Sequence, residues 1–123
     1  MALILVIDDE PLMTHLYQEI LEQVGHEVLL ASNGHEGLQL FGQRLVDLVI
    51  TDVFMPVQDG LEVIMTLHSE KPNVPIIAIT GNGGSHFLTV AKQLGAQYTL
   101  AKPFSGTDLI QAVQQLQGDA MRV

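Results

Sequence analysis

Five polar residues of this sequence have side chains that could bind a metal ion and take part in phosphoryl transfer. They stand directly after four short apolar runs, and they are Asp8, Asp9, Asp52, Thr80 and Lys102. Carboxylates that are crowded together repel one another, and the usual relief at neutral pH is a shared proton or a bound cation. A bound cation is the preferred interpretation, and oxygen ligands without histidine or cysteine select hard ions such as Mg²⁺ or Mn²⁺.

The same residues offer the groups that a phosphate-accepting site needs. A carboxylate such as that of Asp52 can attack a phosphoryl donor and form an aspartyl phosphate once the charge on the phosphoryl oxygens is neutralised. Lys102 supplies a mobile positive charge with three donors, and Thr80 supplies a hydroxyl that can hydrogen-bond a phosphoryl oxygen. Every role in the reaction therefore has a candidate.

The apolar runs that precede these residues are typical of parallel strands buried on both faces, because they are continuous rather than alternating. Amphipathic segments with helical spacing separate them, and glycine and proline mark their ends. A turn is predicted at Asn33-Gly34 and loops at 53–60 and 81–84. The predicted strands are residues 3–7, 28–31, 46–51, 76–79 and 98–101, and helices follow each of them, the fourth at 87–94.

This alternation predicts an α/β fold, a (βα)5 doubly wound parallel sheet with helices on both faces. In open sheets of this kind, ligands bind in the crevice outside the carboxyl ends of the strands. The five polar residues should therefore be neighbours.

Composition limits the classes of function. The chain has 123 residues, so we expect residues 1–123 to form a single domain with no output domain. A formal net charge of -9 disfavours direct binding to nucleic acid. No apolar run approaches the roughly 18 residues of a membrane span, and no secretory signal is evident, so we expect no membrane association and a cytoplasmic location.

Four motifs stand in a characteristic order: ILVIDDEP, LVITDVFMPVQDG, IIAITGNG and LAKPF. With them the chain resembles a response-regulator receiver domain of two-component signalling over essentially its whole length. The resemblance implies a flavodoxin-like fold with strand order 2-1-3-4-5 and a cis bond before Pro103. It also implies Asp52 as phosphoacceptor, Asp8, Asp9, Asp52 and the backbone carbonyl of Phe54 as metal ligands, Thr80 as the switch hydroxyl, and Lys102 as the phosphate-sensing cation.

The function implied is a stand-alone signalling switch rather than an enzyme. A histidine kinase or, in a phosphorelay, a histidine phosphotransfer protein would donate to Asp52 in a Mg²⁺-dependent reaction. The face formed by the fourth helix, fifth strand and fifth helix would then change its affinity for a downstream protein target. Two alternatives stay open: a small Mg²⁺-dependent phosphatase or phosphotransferase, and a binding module that is never phosphorylated.

Structural roles alone could also explain single members of the set. Asp8 could cap the first helix, and Asp52 or Asp59 could cap the third. Thr80 alone suits a turn, and Lys102 alone suits an ordinary surface position. The five histidines have no convergent ligand spacing and are interpreted as helix-face or loop residues, with His86 close to the site: His15, His26, His35, His68 and His86.

The sequence departs from the family pattern at the position three residues before the lysine, where receivers often carry an aromatic side chain. That position is Thr99, and Tyr98 precedes it and should point to the opposite face of the strand. We therefore expect Thr80 and the 81–84 loop to carry most of the response, and Thr99→Tyr to enhance it.

A second departure lies two residues after the acceptor, where Phe54 offers no group to orient a water molecule. Asn82, two residues after Thr80, is polar and could orient one. We expect slow to moderate self-dephosphorylation, because rapid hydrolysis needs a positioned water. Phe54→Asn should shorten the lifetime of the phosphorylated state.

Overall fold

The computed structural model describes residues 2–53, 60–81 and 84–121. Within those residues, strands and helices alternate along the chain. The strands are β1 (Leu3–Ile7), β2 (Glu27–Ala31), β3 (Leu48–Asp52), β4 (Ile76–Thr80) and β5 (Tyr98–Ala101). The helices are α1 (Pro11–Gln23), α2 (Gly34–Gln43), α3 (Gly60–Glu70), α4 (Gly84–Leu94) and α5 (Gly106–Met121).

All five strands form one parallel sheet in the order β2-β1-β3-β4-β5. The chain runs outward from β1 to β2 and then returns past β1 to build β3, β4 and β5. The strand order reverses at β1 and β3, which is where a crevice opens at the carboxyl ends of an open α/β sheet. The predicted fold class and strand order are confirmed.

The sheet is buried because its two faces belong to two different apolar clusters. Alternate residues of one strand point to opposite faces, so Leu5 and Ile7 enter one cluster while Ile4 and Val6 enter the other. The first cluster is closed by side chains of α2, α3 and α4, and the second by side chains of α1 and α5. The three-layer arrangement explains why β3 and β4 are buried along their whole length.

Several predicted boundaries were wrong at the ends of elements. The predicted turn at Asn33-Gly34 is instead the start of α2: the Asn33 side chain accepts a hydrogen bond of 2.8 Å from the backbone N–H of Glu36 and caps the helix. The Glu36 side chain reaches back to Ser32, which completes the capping arrangement. Asparagine before glycine favours both a turn and a helix cap, and the sequence pattern did not distinguish them.

Three other elements begin elsewhere than predicted, and for β2 the difference is one residue, since it begins at Glu27 rather than at 28. α4 begins at Gly84 rather than at 87, so the predicted 81–84 loop is shorter, and its residues 82–83 lie outside the described residues. β3 begins at Leu48 rather than at 46, because the backbone N–H of Val46 bonds to the carbonyl of Arg44 in a local turn. The apolar run therefore starts two residues before β3.

No helix in the described parts of the chain combines the length and apolar character needed to cross a membrane. The expectation of a cytoplasmic location stays a prediction.

Candidate functional site

The predicted site residues meet at the carboxyl edge of the sheet. Asp8 directly follows β1, Asp52 ends β3, Thr80 ends β4 and Lys102 directly follows β5. The pairing register aligns these ends, with Asp52 opposite Ile79 and Thr80 opposite Ala101. The neighbourhood predicted from strand ends is therefore present in the structure.

Gly60 allows α3 to start close against this edge. A Cβ atom at Gly60 would collide with the backbone of Asp52 and Val53. Only a residue without a side chain fits at this distance from the end of β3. The glycine thus fixes how α3 approaches the strand that carries Asp52.

Lys102 is at the centre of the charged group. Its Nζ lies 3.2 Å from Asp52 Oδ2, 3.6 Å from Asp8 Oδ2 and 3.4 Å from Glu10 Oε1. The Lys102 side chain is 20% exposed, while those of Asp8 and Asp52 are 1% and 6% exposed. The Lys102 backbone N–H donates to the Thr80 carbonyl at 2.7 Å, and the peptide bond to Pro103 is cis, as the resemblance implied.

Four carboxylates form one cluster here, and three of them contact the Lys102 amine. Asp8, Asp9, Glu10 and Asp52 each offer an oxygen, and these oxygens all lie within 4.8 Å of one another. Glu10 was not among the predicted ligands. It is the third acidic residue in a row, directly before the proline that starts α1, and that run was the available signal.

The two oxygens of Asp8 have different surroundings. Oδ1 accepts a hydrogen bond of 3.0 Å from the backbone N–H of Glu10. Oδ2 is buried, and among the described residues it has no hydrogen-bond partner, since the 3.6 Å contact with Lys102 is an ion pair only. Burial raises the pKa of Asp8 to about 6, and the negative charge of Asp52 adds to the increase against the opposing effects of the Glu10 N–H and Lys102.

The pKa of Lys102 is also raised, which for an amine favours the charged form. Burial lowers its pKa, but the charges of Asp52, Asp8 and Glu10 together outweigh burial, and the pKa is raised above its ordinary value. The amine therefore stays positively charged. One cation facing four carboxylates leaves excess negative charge at the site, and the group suits a further cation with oxygen ligands.

Thr80 is fully buried, and its Oγ1 has no hydrogen-bond partner in the described part of the chain. At the following residue, Gly81, an added Cβ would lie 3.8 Å from Lys102 Cδ, which is an ordinary van der Waals distance. A side chain could therefore begin there without a collision. Gly81 also lacks the positive φ that would require glycine. This geometry gives Gly81 no special role in leaving room for a phosphoryl group.

The capping interpretations do not describe the site. The N-cap of α1 is Glu10, which makes no side-chain capping bond, and Asp8 bonds to Glu10 rather than to the first turn. Asp52 belongs to β3. Phe54, Asp59 and Asn82, to which we assigned possible roles, lie outside the described residues.

The histidines stay apart from the acidic group, and no histidine of the described residues joins a cluster that could bind a metal. Four of them are exposed on helices: His15, His35, His68 and His86. His26 is half-buried instead, and its Nδ1 accepts a hydrogen bond of 3.1 Å from the Ala2 backbone. Its role is structural, at the opposite end of the sheet.

The aromatic residues differ from the family pattern as expected. Tyr98 packs against the cluster between the sheet and helices α1 and α5, so strand alternation places Thr99 on the other face. Among the described residues, Tyr17 of α1 brings an aromatic side chain near the site, and its ring stacks on Phe104 at 6.0 Å between centroids. Helical spacing favoured a helix face that carries Leu12, Leu16 and Val24, but these side chains are exposed, and the buried face of α1 includes Tyr17 and Leu21.

The comparisons with known proteins agree with this geometry. The response regulator receiver domain family matches residues 4–114. The chain is 37% identical over 102 residues to the alkaline phosphatase synthesis transcriptional regulatory protein PhoP of Bacillus subtilis, covering 83% of this chain and 42% of PhoP. It is 33% identical over 122 residues to the probable C4-dicarboxylate response regulator DctR of Priestia megaterium, covering 98% of this chain and 54% of DctR.

Among solved structures, a response regulator receiver domain protein from Clostridium thermocellum superposes with a TM-score of 0.92 at 35% identity, covering 97% of this chain and 96% of that chain. The chain spans about half the length of the curated relatives it matches. PhoP is named as a transcriptional regulatory protein. The expectation of no contact with nucleic acid concerns this chain, and it would conflict with that name if it were extended to longer proteins such as PhoP.

The family match covers most of the chain, and its fold and the arrangement of its strand ends agree with that match. Receiver domains are the signalling switches of two-component systems, and response regulators are phosphorylated by histidine kinases. This chain belongs to the response regulator receiver domain family.

Proposed function

We propose that this receiver domain accepts a phosphoryl group on Asp52 from a histidine kinase or a histidine phosphotransfer protein and then changes its affinity for a protein partner. The observation that carries the proposal is the contact of 3.2 Å between Lys102 Nζ and Asp52 Oδ2 inside a group of four carboxylates. A buried acceptor carboxylate with a positively charged amine beside it is the arrangement that phosphoryl transfer needs.

The acidic group fits Mg²⁺ or Mn²⁺. The buried Oδ2 of Asp8 has no hydrogen-bond partner among the described residues, and a hard cation would satisfy it. Asp8, Asp9 and Asp52 would hold the ion, and Glu10 stands within the same cluster as a fourth oxygen donor. When bound, Mg²⁺ supplies positive charge that offsets the negative charge of the carboxylates and of the phosphoryl oxygens.

The transfer itself is a displacement at phosphorus. A carboxylate oxygen of Asp52 forms the new O–P bond while the N–P bond of the phosphohistidine breaks, and the histidine nitrogen keeps the electron pair of that bond. Lys102 is already beside Asp52, so its amine can turn from the carboxylates toward the transferred oxygens without a large movement. Its raised pKa keeps it charged throughout.

Thr80 would report that the acceptor is loaded. Its buried hydroxyl lacks a partner among the described residues and can donate to a phosphoryl oxygen on the neighbouring strand end. A shift of Thr80 would reach α4, which follows it in the chain, and β5, with which it pairs. The α4-β5-α5 face is therefore the proposed surface for the downstream protein target.

Within the described domain we propose no direct contact with nucleic acid, because the net charge of -9 repels a phosphate backbone. We also propose that the domain acts as a switch without turnover of a separate substrate. The family match does not favour the two alternatives, a small phosphatase and an unphosphorylated binding module.

The reaction is tested by incubating the protein with acetyl phosphate and Mg²⁺ and measuring its intact mass against a sample containing a chelator. The proposal predicts the addition of one phosphoryl group with Mg²⁺ and none with the chelator. Steady turnover of p-nitrophenyl phosphate without a stable protein adduct would favour the phosphatase. Absence of any adduct at saturating donor and Mg²⁺ would favour the unphosphorylated module.

A further inference from the structure

Tyr17 carries a polar group that the fold of α1 does not require. The side chain is 1% exposed, and its hydroxyl has no hydrogen-bond partner among the residues that the structure describes. Buried hydroxyl groups normally find a partner, because an unpaired one is less favourable than an apolar group of the same shape. A phenylalanine would fill the same place without that cost. The hydroxyl therefore calls for a functional explanation.

The ring of Tyr17 holds the segment that carries Lys102. It stacks on Phe104 with ring centroids 6.0 Å apart and planes inclined by 7°. Phe104 follows Lys102 by two residues, and both line, together with Tyr17 and Pro103, a cavity of about 380 Å³. The Lys102 amine contacts the acidic group. The ring of Tyr17 therefore packs against the segment that positions this amine.

The hydroxyl of Tyr17 faces a region of negative charge. Burial raises its pKa, and the charges of Asp8, Asp52 and Glu10 raise it further, so the group stays protonated and acts as a donor. In the same region Asp8 Oδ2 is an acceptor without a hydrogen-bond partner among the described residues. A donor without an acceptor and an acceptor without a donor among the described residues therefore both belong to the surroundings of Lys102.

We propose that Tyr17 is a positioning residue of the phosphoacceptor site, whose ring steadies the Lys102 segment and whose hydroxyl replaces Lys102 as a donor to the carboxylates when the amine turns to the phosphoryl group. This inference rests on the proposed function of Asp52. It gives helix α1 a role in the phosphorylated state of the site. The acidic residues before the first turn of α1 are a separate contribution of the same segment.

The first test compares Tyr17→Phe with the wild type and with Tyr98→Phe, the matched variant of the second of the two tyrosines. Tyr17→Phe should lower the maximal rate of phosphorylation by acetyl phosphate about three- to tenfold, the factor that a net hydrogen bond contributes. The donor concentration at half-maximal rate should not change. Stability in chelator should be unchanged or higher, whereas a merely structural hydroxyl would lower stability and leave the rate alone. Tyr98→Phe should keep the wild-type rate.

The second test needs no phosphorylation. The chain contains no tryptophan, so in Tyr98→Phe the emission of Tyr17 can be followed alone. Adding Mg²⁺ with beryllium fluoride, an inert mimic of the phosphoryl group, should change that emission because the hydroxyl gains an acceptor. Wild-type rates in Tyr17→Phe, or unchanged emission, would overturn the role of Tyr17. If the wild type itself takes up no phosphate, the proposed function fails, and the emission measurement alone decides for Tyr17.

Discussion

Lys102 forms ion pairs with three different carboxylates, and this makes it the residue on which the electrostatics of the site depend. Its amine contacts Asp52, Asp8 and Glu10 at distances from 3.2 to 3.6 Å. The same three carboxylates belong to the cluster that suits a metal ion. The Lys102 amine and a divalent cation would therefore contact the same carboxylates. Their positive charges would repel each other across this short distance.

Replacing Lys102 separates its repulsion of the metal ion from its contribution to phosphoryl transfer. In Lys102→Met, which keeps the length of the side chain and removes its charge, we expect Mg²⁺ to bind more tightly by about fivefold or more, because a nearby positive charge is removed from a partly buried site. Phosphorylation of Asp52 should nevertheless be slower, since the amine no longer offsets charge on the phosphoryl group. Magnesium titration and the rate of adduct formation measure the two effects. Lys92→Met, an exposed position on α4, is the control, and weaker Mg²⁺ binding in Lys102→Met would contradict this account.

Asp8 makes the stability of the metal-free protein depend on pH. Its pKa is about 6 in the folded protein against 3.8 in the unfolded chain, so the folded state binds this proton more tightly. The stabilisation that results is fully present below the unfolded pKa and is lost as pH rises through about 6. At neutral pH the loss is roughly 3 kcal/mol.

Asp8→Asn should remove that part of the pH dependence. Without metal the variant should be more stable than the wild type at pH 7 by up to about 3 kcal/mol, and the difference should shrink toward pH 4. Urea denaturation in chelator at several pH values measures it. Asp9→Asn, at the exposed neighbour, should show a smaller change. An Asp8→Asn protein less stable than the wild type at pH 7 would show that the ionised Asp8 is stabilised by contacts beyond those described.

At the scale of elements, strand ends were the most predictable feature. β3 and β4 are continuous apolar runs that end in a polar residue, Asp52 and Thr80, and the structure keeps both at the ends of buried strands. Burial on both faces leaves little freedom for such segments. Helix starts were less predictable, because Asn33 can close a turn or cap a helix, and only the contact between Asn33 and Glu36 distinguishes the two.

The parts of the site that depended on packing were also missed. Glu10 joins the acidic cluster only because α1 begins directly after it, and Tyr17 approaches the site only because α1 packs beside the segment that follows β5. The acidic run that contains Glu10 was the signal available in the sequence, whereas Tyr17 has no distinctive position in the sequence pattern. Their contacts arise from how one helix lies against the sheet, and local periodicity does not specify that distance.

Two helical glycines test how tightly α3 is fixed against β3. At Gly60 an added Cβ would meet the backbone of Asp52 and Val53, while at Gly42 of α2 it would meet no atom within 4 Å. Gly60→Ala should therefore destabilise the fold by about 1 to 3 kcal/mol through overpacking. Gly42→Ala should stabilise it by about 0.5 to 1 kcal/mol through helix propensity. Chemical denaturation measures both, and equal effects of the two substitutions would contradict the close approach of α3.

At the scale of the whole molecule, the strand order places four strand ends around one crevice. β1 and β3 are adjacent in the sheet although α1, β2 and α2 separate them in the chain. This crossover brings Asp8 beside Asp52, and β4 and β5 add Thr80 and Lys102 in turn. The chemistry proposed for the domain therefore depends on the complete sheet, and no single motif contains it.

The central claim is that Asp52 alone receives the phosphoryl group, and intact mass measurement with acetyl phosphate and Mg²⁺ on three proteins tests it most directly. The wild type should gain the mass of one phosphoryl group. Asp52→Asn should gain none, and Asp47→Asn, an exposed residue directly before the same strand, should behave as the wild type. A full single adduct on Asp52→Asn would place the acceptor elsewhere and contradict the account.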